Sequence, residues 1–189
     1  MNSEDVFQIF RETNALLSGH FELRSGLHSD QYFQCALVCQ WPRVVEKLCA
    51  ALAGKWNERN APIDTVIAPA MGGLVIGQEM ARALNKRFIF VEKQNNKLEL
   101  RRFAIKPGER FLVAEDVMTR GGRIQETIEI VRANGGIVDS ICVLVDRSGG
   151  KAAFDVPVTS LLRWEPTTWK PEDCPLCAKS EPITHPGSK

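Results

Sequence analysis

Phe111-Leu112-Val113-Ala114-Glu115-Asp116-Val117-Met118-Thr119-Arg120-Gly121-Gly122-Arg123 is the stretch that decides the fold of this chain. An apolar run ending in two adjacent acids reads as a buried strand that delivers carboxylates to its C-terminal edge. Ile124, Ile128 and Val131 follow at helical spacing, so the glycine-bearing turn opens directly into a helix. A phosphate held in such a turn meets free backbone N–H groups and the positive end of the helix dipole. Glu115 and Asp116 beside it offer acceptors for sugar hydroxyls or for a hydrated Mg²⁺, and the combination suits a ribose phosphate.

Outward from this stretch the pattern alternates. Strands are expected near Thr65 to Ala68, Arg87 to Val91, Arg110 to Val117 and Ile137 to Val145, with helices over Gly72 to Leu84 and Gly122 to Ala133. Alternating strands and helices imply an α/β fold with a mainly parallel central sheet flanked by helices. Before it, Val6, Ile9, Phe10, Thr13, Leu16 and Leu17 share a helical period with Ser3 as N-cap, and Trp41-Pro42 opens a helix to about Gly54. Between these two helices, Gly19 to Gln34 carries short alternating pieces suited to a pair of strands. The polar run Lys93-Gln94-Asn95-Asn96-Lys97 and the turn Lys106-Pro107-Gly108 suggest a loop or hairpin able to act as a lid. After Trp164 the chain is rich in proline and polar residues, and an irregular tail lying across the core is expected. The chain of 189 residues fits one domain, divided into an N-terminal helix and hood over 1–40, an α/β core over 41–165 and the tail over 166–189.

Composition excludes more than it assigns. With 44% hydrophobic and 25% charged residues and a formal net charge of +1, the chain is of the soluble globular class. Nothing in that balance favours nucleic acid or a membrane surface as partner. Met1 to Asp5 lacks a basic leader and no apolar run has bilayer length, so the cytoplasm is the expected compartment. Cys35, Cys39, Cys49 and Cys142 fall inside apolar patterns and read as core thiols. Cys174-Pro175-Leu176-Cys177 is half a zinc site or a redox pair. No second Cys-x-x-Cys exists and only His185 among the histidines is close in sequence, so the expectation is a tail turn with two incidental thiols.

In an open parallel sheet, ligands bind outside the carboxyl ends of the strands. One strand ends in Ala68-Pro69-Ala70-Met71-Gly72-Gly73, a tight small-residue turn able to present amides to a second phosphate group. The next ends at Val91-Glu92-Lys93 and is followed by Lys97, Arg101 and Arg102, cations that would neutralise a leaving diphosphate; each of them also suits a solvated basic hairpin. The last ends in Leu144-Val145-Asp146-Arg147, and a guanidinium there is shaped to grip a carboxylate, although a strand-end Arg alone equally suits a surface ion pair.

The acidic loop resembles the 5-phosphoribosyl-1-diphosphate (PRPP) signature of type I phosphoribosyltransferases. Gly19-His20-Phe21-Glu22-Leu23-Arg24-Ser25-Gly26-Leu27-His28-Ser29-Asp30-Gln31-Tyr32-Phe33 resembles the hood segment of the orotate phosphoribosyltransferases within that group. The resemblance runs over essentially the whole chain and implies the type I fold, with a small hood formed by the N-terminal segment and C-terminal tail. It implies PRPP and orotate as substrates, Mg²⁺ carried by PRPP without a direct protein metal site, and a homodimer whose lid residues serve the neighbouring subunit. It assigns PRPP to Ala70, Met71, Gly72, Lys93, Lys97, Glu115, Asp116, Val117, Met118, Thr119, Arg120, Gly121, Gly122 and Arg123, and orotate to Arg24, Tyr32, Phe33, Thr119 and Arg147. Lys93, Lys97 and Asp116 are the residues it marks as catalytic. The family usually carries Thr-Thr-Gly-Gly-Ser where this chain has Thr119-Arg120-Gly121-Gly122-Arg123, so guanidinium groups replace hydroxyls beside the 5′-phosphate. Two alternatives accompany this reading: a non-catalytic PRPP-binding regulator of the same fold, and a phosphoribosyltransferase for another base.

Overall fold

The computed structural model describes residues 1–23, 25–57 and 62–186. Its centre is a six-stranded sheet built on β3 (Thr65–Pro69), β4 (Arg87–Gln94), β5 (Lys97–Glu99), β6 (Arg110–Met118), β7 (Ile137–Asp146) and β8 (Val158–Arg163), in the order β5-β4-β3-β6-β7-β8. All neighbours pair in parallel except β4 and β5, which form an antiparallel hairpin at one edge. The hairpin turns on Asn95 and Asn96, both at positive φ, a conformation that Asn tolerates better than other side-chain-bearing residues.

Both faces of the sheet are covered, which explains why its strands read as continuous apolar runs. Along β6, Leu112 and Ala114 face one core cluster while Phe111 and Val113 face the other, as the two-residue period requires. Helices α3 (Pro42–Asn57) and α4 (Gly73–Leu84) lie on the first face, joined there by α1 (Ser3–Glu12) and the single turn α2 (Ala36–Cys39). Helix α5 (Gly122–Ala133) covers the second through Ile124, Ile128 and Val131. Trp56 of α3 donates its indole N–H to the Ser140 hydroxyl at 2.8 Å, satisfying two buried polar groups between helix and β7.

A small second sheet, in the order β1-β2-β9, is made of β1 (Leu16–Glu22), β2 (His28–Phe33) and β9 (Thr168–Trp169). The C-terminal segment thus pairs with the N-terminal hairpin, and Phe21 forms an additional bridge to Thr184. Between them lie a 3₁₀ turn, Pro171–Asp173, and the four-residue α6 (Pro175–Ala178), so the tail has two short helical turns inside its irregular path.

The first helix is shorter than its periodicity suggests. It is capped by Asn2, whose side chain accepts from the Asp5 N–H while Asp5 accepts from the Asn2 N–H, each at 2.9 Å. It stops at Glu12 because the Thr13 hydroxyl bonds back to the Ile9 carbonyl and Asn14 takes a left-handed φ, leaving Leu16 and Leu17 to start β1. Strand β8 went unforeseen because Thr159 and Ser160 interrupt its apolar run, yet both are buried.

Helix α4 crosses the sheet closely at Gly77. A Cβ there would lie 2.4 Å from the Phe88 ring and 2.7 Å from the Ala68 methyl. Gly77→Ala should therefore lower stability by about 1–3 kcal/mol through overpacking, despite Ala being the better helix former. The check is urea unfolding, which should show a lower midpoint at an unchanged slope.

Candidate active site

Chain order and sheet order together locate the site. After β3 the chain turns one way to β4, and it later returns to lay β6 on the opposite side of β3, so β3 and β6 flank the topological switch point. A cavity of about 620 Å³ opens above their carboxyl ends, lined by Pro69, Ala70 and Gly72 from the first loop and by Glu115 to Thr119 and Gly121 to Ile124 from the second. Asn96 and Glu126 complete its wall.

The two acids are tightly held. Glu115 is 7% exposed and its Oε1 accepts from the Asp116 N–H at 3.1 Å; Asp116 Oδ1 accepts from the Val117 N–H at 2.7 Å. Their closeness to the first loop depends on glycine. A Cβ at Gly72 would sit 3.1 Å from Asp116 Oδ1, and one at Gly73 would sit 3.0 Å from Glu115 Oε1. Burial, reinforced by the neighbouring Asp116 charge, pushes Glu115 well above the usual carboxylate range, and burial likewise raises Asp116. Neither acid has an ion-pair partner among the described residues. The site therefore holds two carboxylates that favour a cation, or hydroxyl donors, between them.

Helix α5 starts from Gly121 at φ +76, with no side-chain cap and no acid in its first turn. A side chain at Gly121 would meet the Phe154 ring at 2.5 Å, so both conformation and space demand glycine there. The open amides make this turn an anion cradle. Arg123 lines the cavity and pairs with Glu126 at 2.9 Å, while Arg120 is exposed and outside the lining. The Glu126 carboxylate also accepts from the Leu98 N–H, docking the β4–β5 hairpin onto α5.

On that hairpin Lys93 and Lys97 are exposed at its two sides, paired with Leu98 and Gln94 across the turn. Arg102 forms an ion pair with Glu92 at 2.9 Å, so it does not face the cavity as an open cation, whereas Arg101 is exposed.

At the end of β7, Arg147 is partly buried, and its Nε has no hydrogen-bond partner among the described residues. Its guanidinium lies 5.3 Å from the centre of the Trp164 ring, and burial pushes its pKa down, an effect the nearby Tyr32 offsets. The neighbouring Asp146 faces Arg163 instead, at 3.9 Å, so the surface-ion-pair reading of Arg147 does not hold.

Tyr32 and Phe33 point to opposite faces of β2. Tyr32 is half-buried with its ring 5.8 Å from Phe21, whereas Phe33 is 5% exposed and packs edge-on to Phe10 at 4.8 Å. Phe33 is thus a core residue that reaches Trp164 at 6.1 Å from behind, a correction to its expected place over a ligand. Arg24 lies outside the described residues. Met71 is 83% exposed and does not line the cavity with Ala70 and Gly72. Trp164, Asn96 and Glu126 carried no motif; Trp164 gains its place only because β8 runs beside β7.

Residues 40–178 match the phosphoribosyl transferase domain model. A relative from Desulforamulus reducens, named orotate phosphoribosyltransferase, is 48% identical over 100% of this chain and 98% of its own length. The crystal structure of orotate phosphoribosyltransferase from Aeropyrum pernix superposes with a TM-score of 0.68 at 26% identity, covering 82% of this chain and 92% of that one. Adenine phosphoribosyltransferase from Thermoanaerobacter pseudethanolicus, at 22% identity and a TM-score of 0.62 over 71% of this chain and 88% of that one, shares the fold alone. With a domain match over most of its length and a near half-identical relative aligned end to end, the chain belongs to the orotate phosphoribosyltransferase family.

Proposed function

We propose that the chain transfers the 5-phosphoribosyl group of PRPP to orotate, giving orotidine 5′-monophosphate and diphosphate for pyrimidine synthesis. The observation that carries this reading is Arg147, a partly buried guanidinium with an unpartnered Nε on the Trp164 face, one strand away from the acidic loop. A cation so placed is matched by a planar anion such as the orotate carboxylate. The phosphate-binding turn before α5 takes the 5′-phosphate, the Ala70–Gly72 loop faces the diphosphate, and Glu115 and Asp116 accept from the ribose hydroxyls. Tyr32, beside Arg147, borders the pyrimidine.

In the reaction the bond from the anomeric carbon to the diphosphate oxygen breaks and a bond to an orotate ring nitrogen forms, with the ring N–H proton leaving to solvent. The chain contributes chiefly by positioning and by fixed charges. Lys93 and Lys97, on the hairpin whose tip borders the cavity, are the cations we assign to the departing diphosphate. Hairpin closure excludes water. The paired carboxylates fit Mg²⁺, which would be held by Asp116 and Glu115 through its waters and supplies charge neutralisation on the diphosphate. In the 5′-phosphate turn Arg123 keeps its pairing with Glu126, so backbone amides rather than the Arg123 guanidinium dominate the contact.

We further infer a homodimer in the cytoplasm. Exposed Met71 and Val75, beside the diphosphate loop, supply apolar surface for a second copy, and the reduced thiols Cys35, Cys39 and Cys49 suit a reducing compartment.

Loss of orotate absorbance on adding Mg²⁺ and PRPP tests the reaction, with uracil and adenine as competing bases. Turnover is expected with orotate alone; PRPP binding without turnover of any base would turn the reading to a regulator. Arg147→Ala should raise KM for orotate about 10- to 100-fold, the scale of one charge-assisted contact, with KM for PRPP little changed. Asp116→Asn should lower kcat/KM about 100-fold.

Glu115 makes a separate prediction for the ligand-free protein. A carboxyl whose folded pKa is raised binds its proton more tightly folded than unfolded, so stability is full below the unfolded value of about 4.3 and falls as pH rises toward the folded pKa. Wild type should lose thermal stability relative to Glu115→Gln on going from about pH 4 toward neutrality. Parallel melting curves of the two proteins across that range would overturn the assignment.

A further inference from the structure

The N-terminal hairpin and the C-terminal tail converge on four side chains that the phosphoribosyl chemistry does not use. His20 of β1, His28 at the start of β2, and Cys174 and Cys177 flanking α6 bring one donor atom each to within 4.8 Å of all the others. His20 Nε2 is 3.0 Å from His28 Nδ1, 3.5 Å from Cys174 Sγ and 3.6 Å from Cys177 Sγ, and Cys177 Sγ is 3.3 Å from His28 Nδ1. A tetrahedron with metal–nitrogen bonds of about 2.0 Å and metal–sulfur bonds of about 2.3 Å has edges of roughly 3.3–3.8 Å. Four of the six donor–donor separations, at 3.0–3.6 Å, already stand close to those edges, and the other two lie within 4.8 Å.

We propose that these four residues form a structural zinc site, Cys₂His₂, which clamps the tail to the N-terminal hairpin. Three observations support it independently. The first is aim: β1 and β2 slip register between Ser18 and Phe21, so His20 and Phe21 are buried in succession and His20 is turned inward against the alternation. The second is protonation. His20 Nδ1 faces the Glu181 carbonyl oxygen at 2.9 Å and donates to it, which leaves Nε2 with a lone pair toward the cluster, the arrangement metal-bound histidines use. The third is burial: His20, His28 and Cys174 are each at most 6% exposed, yet beyond the His20–His28 imidazole pair their contacts within the cluster are between thiols and imidazole nitrogens, weak partners for groups removed from water.

Donor chemistry names the metal. Two thiolates and two imidazoles select a borderline-soft ion of tetrahedral preference, against magnesium and calcium, which take oxygen. Four protein ligands leave no open position, so the site is structural. Metal binding displaces the two thiol protons, and no redox step is involved. The ligands span 157 positions from His20 to Cys177, so one ion closes most of the chain into a loop.

Metal content of the full-length protein, purified without chelator and passed through gel filtration, tests this. About one zinc per chain is expected. Cobalt(II) exchanged into the site should give the intense visible bands of a tetrahedral thiolate–imidazole centre, and both signals should vanish in Cys177→Ser, whose side chain is exposed and whose fold is therefore retained. Cys39→Ser, away from the cluster, should keep them. Removing the ion by chelation should lower the melting temperature of wild type and leave that of Cys177→Ser unchanged. Zinc that washes off, cobalt that gives only weak octahedral absorption, metal retained equally by Cys177→Ser, or a Cys174–Cys177 disulfide found by thiol counting would each overturn the proposal.

Discussion

A carboxylate taken out of water must be matched, and Glu115 and Asp116 stand at the carboxyl end of a buried strand with no cation paired to them among the described residues. The contrast with Glu109, at the amino end of the same strand, makes the point. Burial would raise Glu109 as well, but the Lys106 amide, the Thr65 hydroxyl and the Arg87 guanidinium all reach its carboxylate and hold it below its ordinary value. One end of β6 is electrostatically complete, and the other is left incomplete. A protein retains that kind of local imbalance where a ligand completes it.

The fold around the acids is arranged so that this imbalance survives. Parallel strands covered on both faces keep the strand end dry, and the switch point between β3 and β6 opens a crevice there. Gly72 and Gly73 let the first loop come against the acids, and Gly121 lets the second turn enter α5 with its amides bare. Arg147 repeats the theme with opposite sign: a guanidinium half-removed from water, resting on Trp164, with an Nε that no group among the described residues satisfies. Two acids and one cation along one sheet edge are what the proposed reaction requires, a site for a ligand with hydroxyls at one end and a carboxylate at the other.

The hood and tail follow a different logic. They belong to a small sheet whose three strands offer little apolar burial of their own, since β9 is two residues long. A short strand and two single helical turns are weak holders of a chain terminus. A four-ligand clamp between His20, His28, Cys174 and Cys177 supplies what apolar packing does not, much as metals and disulfides do in domains too small for a sufficient core.

What the sequence determined by itself is local in origin. The main strands and helices from β3 to β7, the acidic strand end, the glycine turn into α5 and the Asn95-Asn96 hairpin all follow from periodicity and backbone preference within a dozen residues. The residues missed or misplaced are those whose roles depend on distant neighbours. Phe33 became core, and Tyr32 did not, because β2 pairs with β1 in one register that sends alternate side chains to opposite faces. Trp164 meets Arg147 because β8 lies beside β7, and half a zinc motif gains its other half because a bulge and a two-residue strand bring His20 and His28 to the tail. Only tertiary structure decides such pairings, since a side chain's identity is written in the chain but its partner is set by which elements pack together.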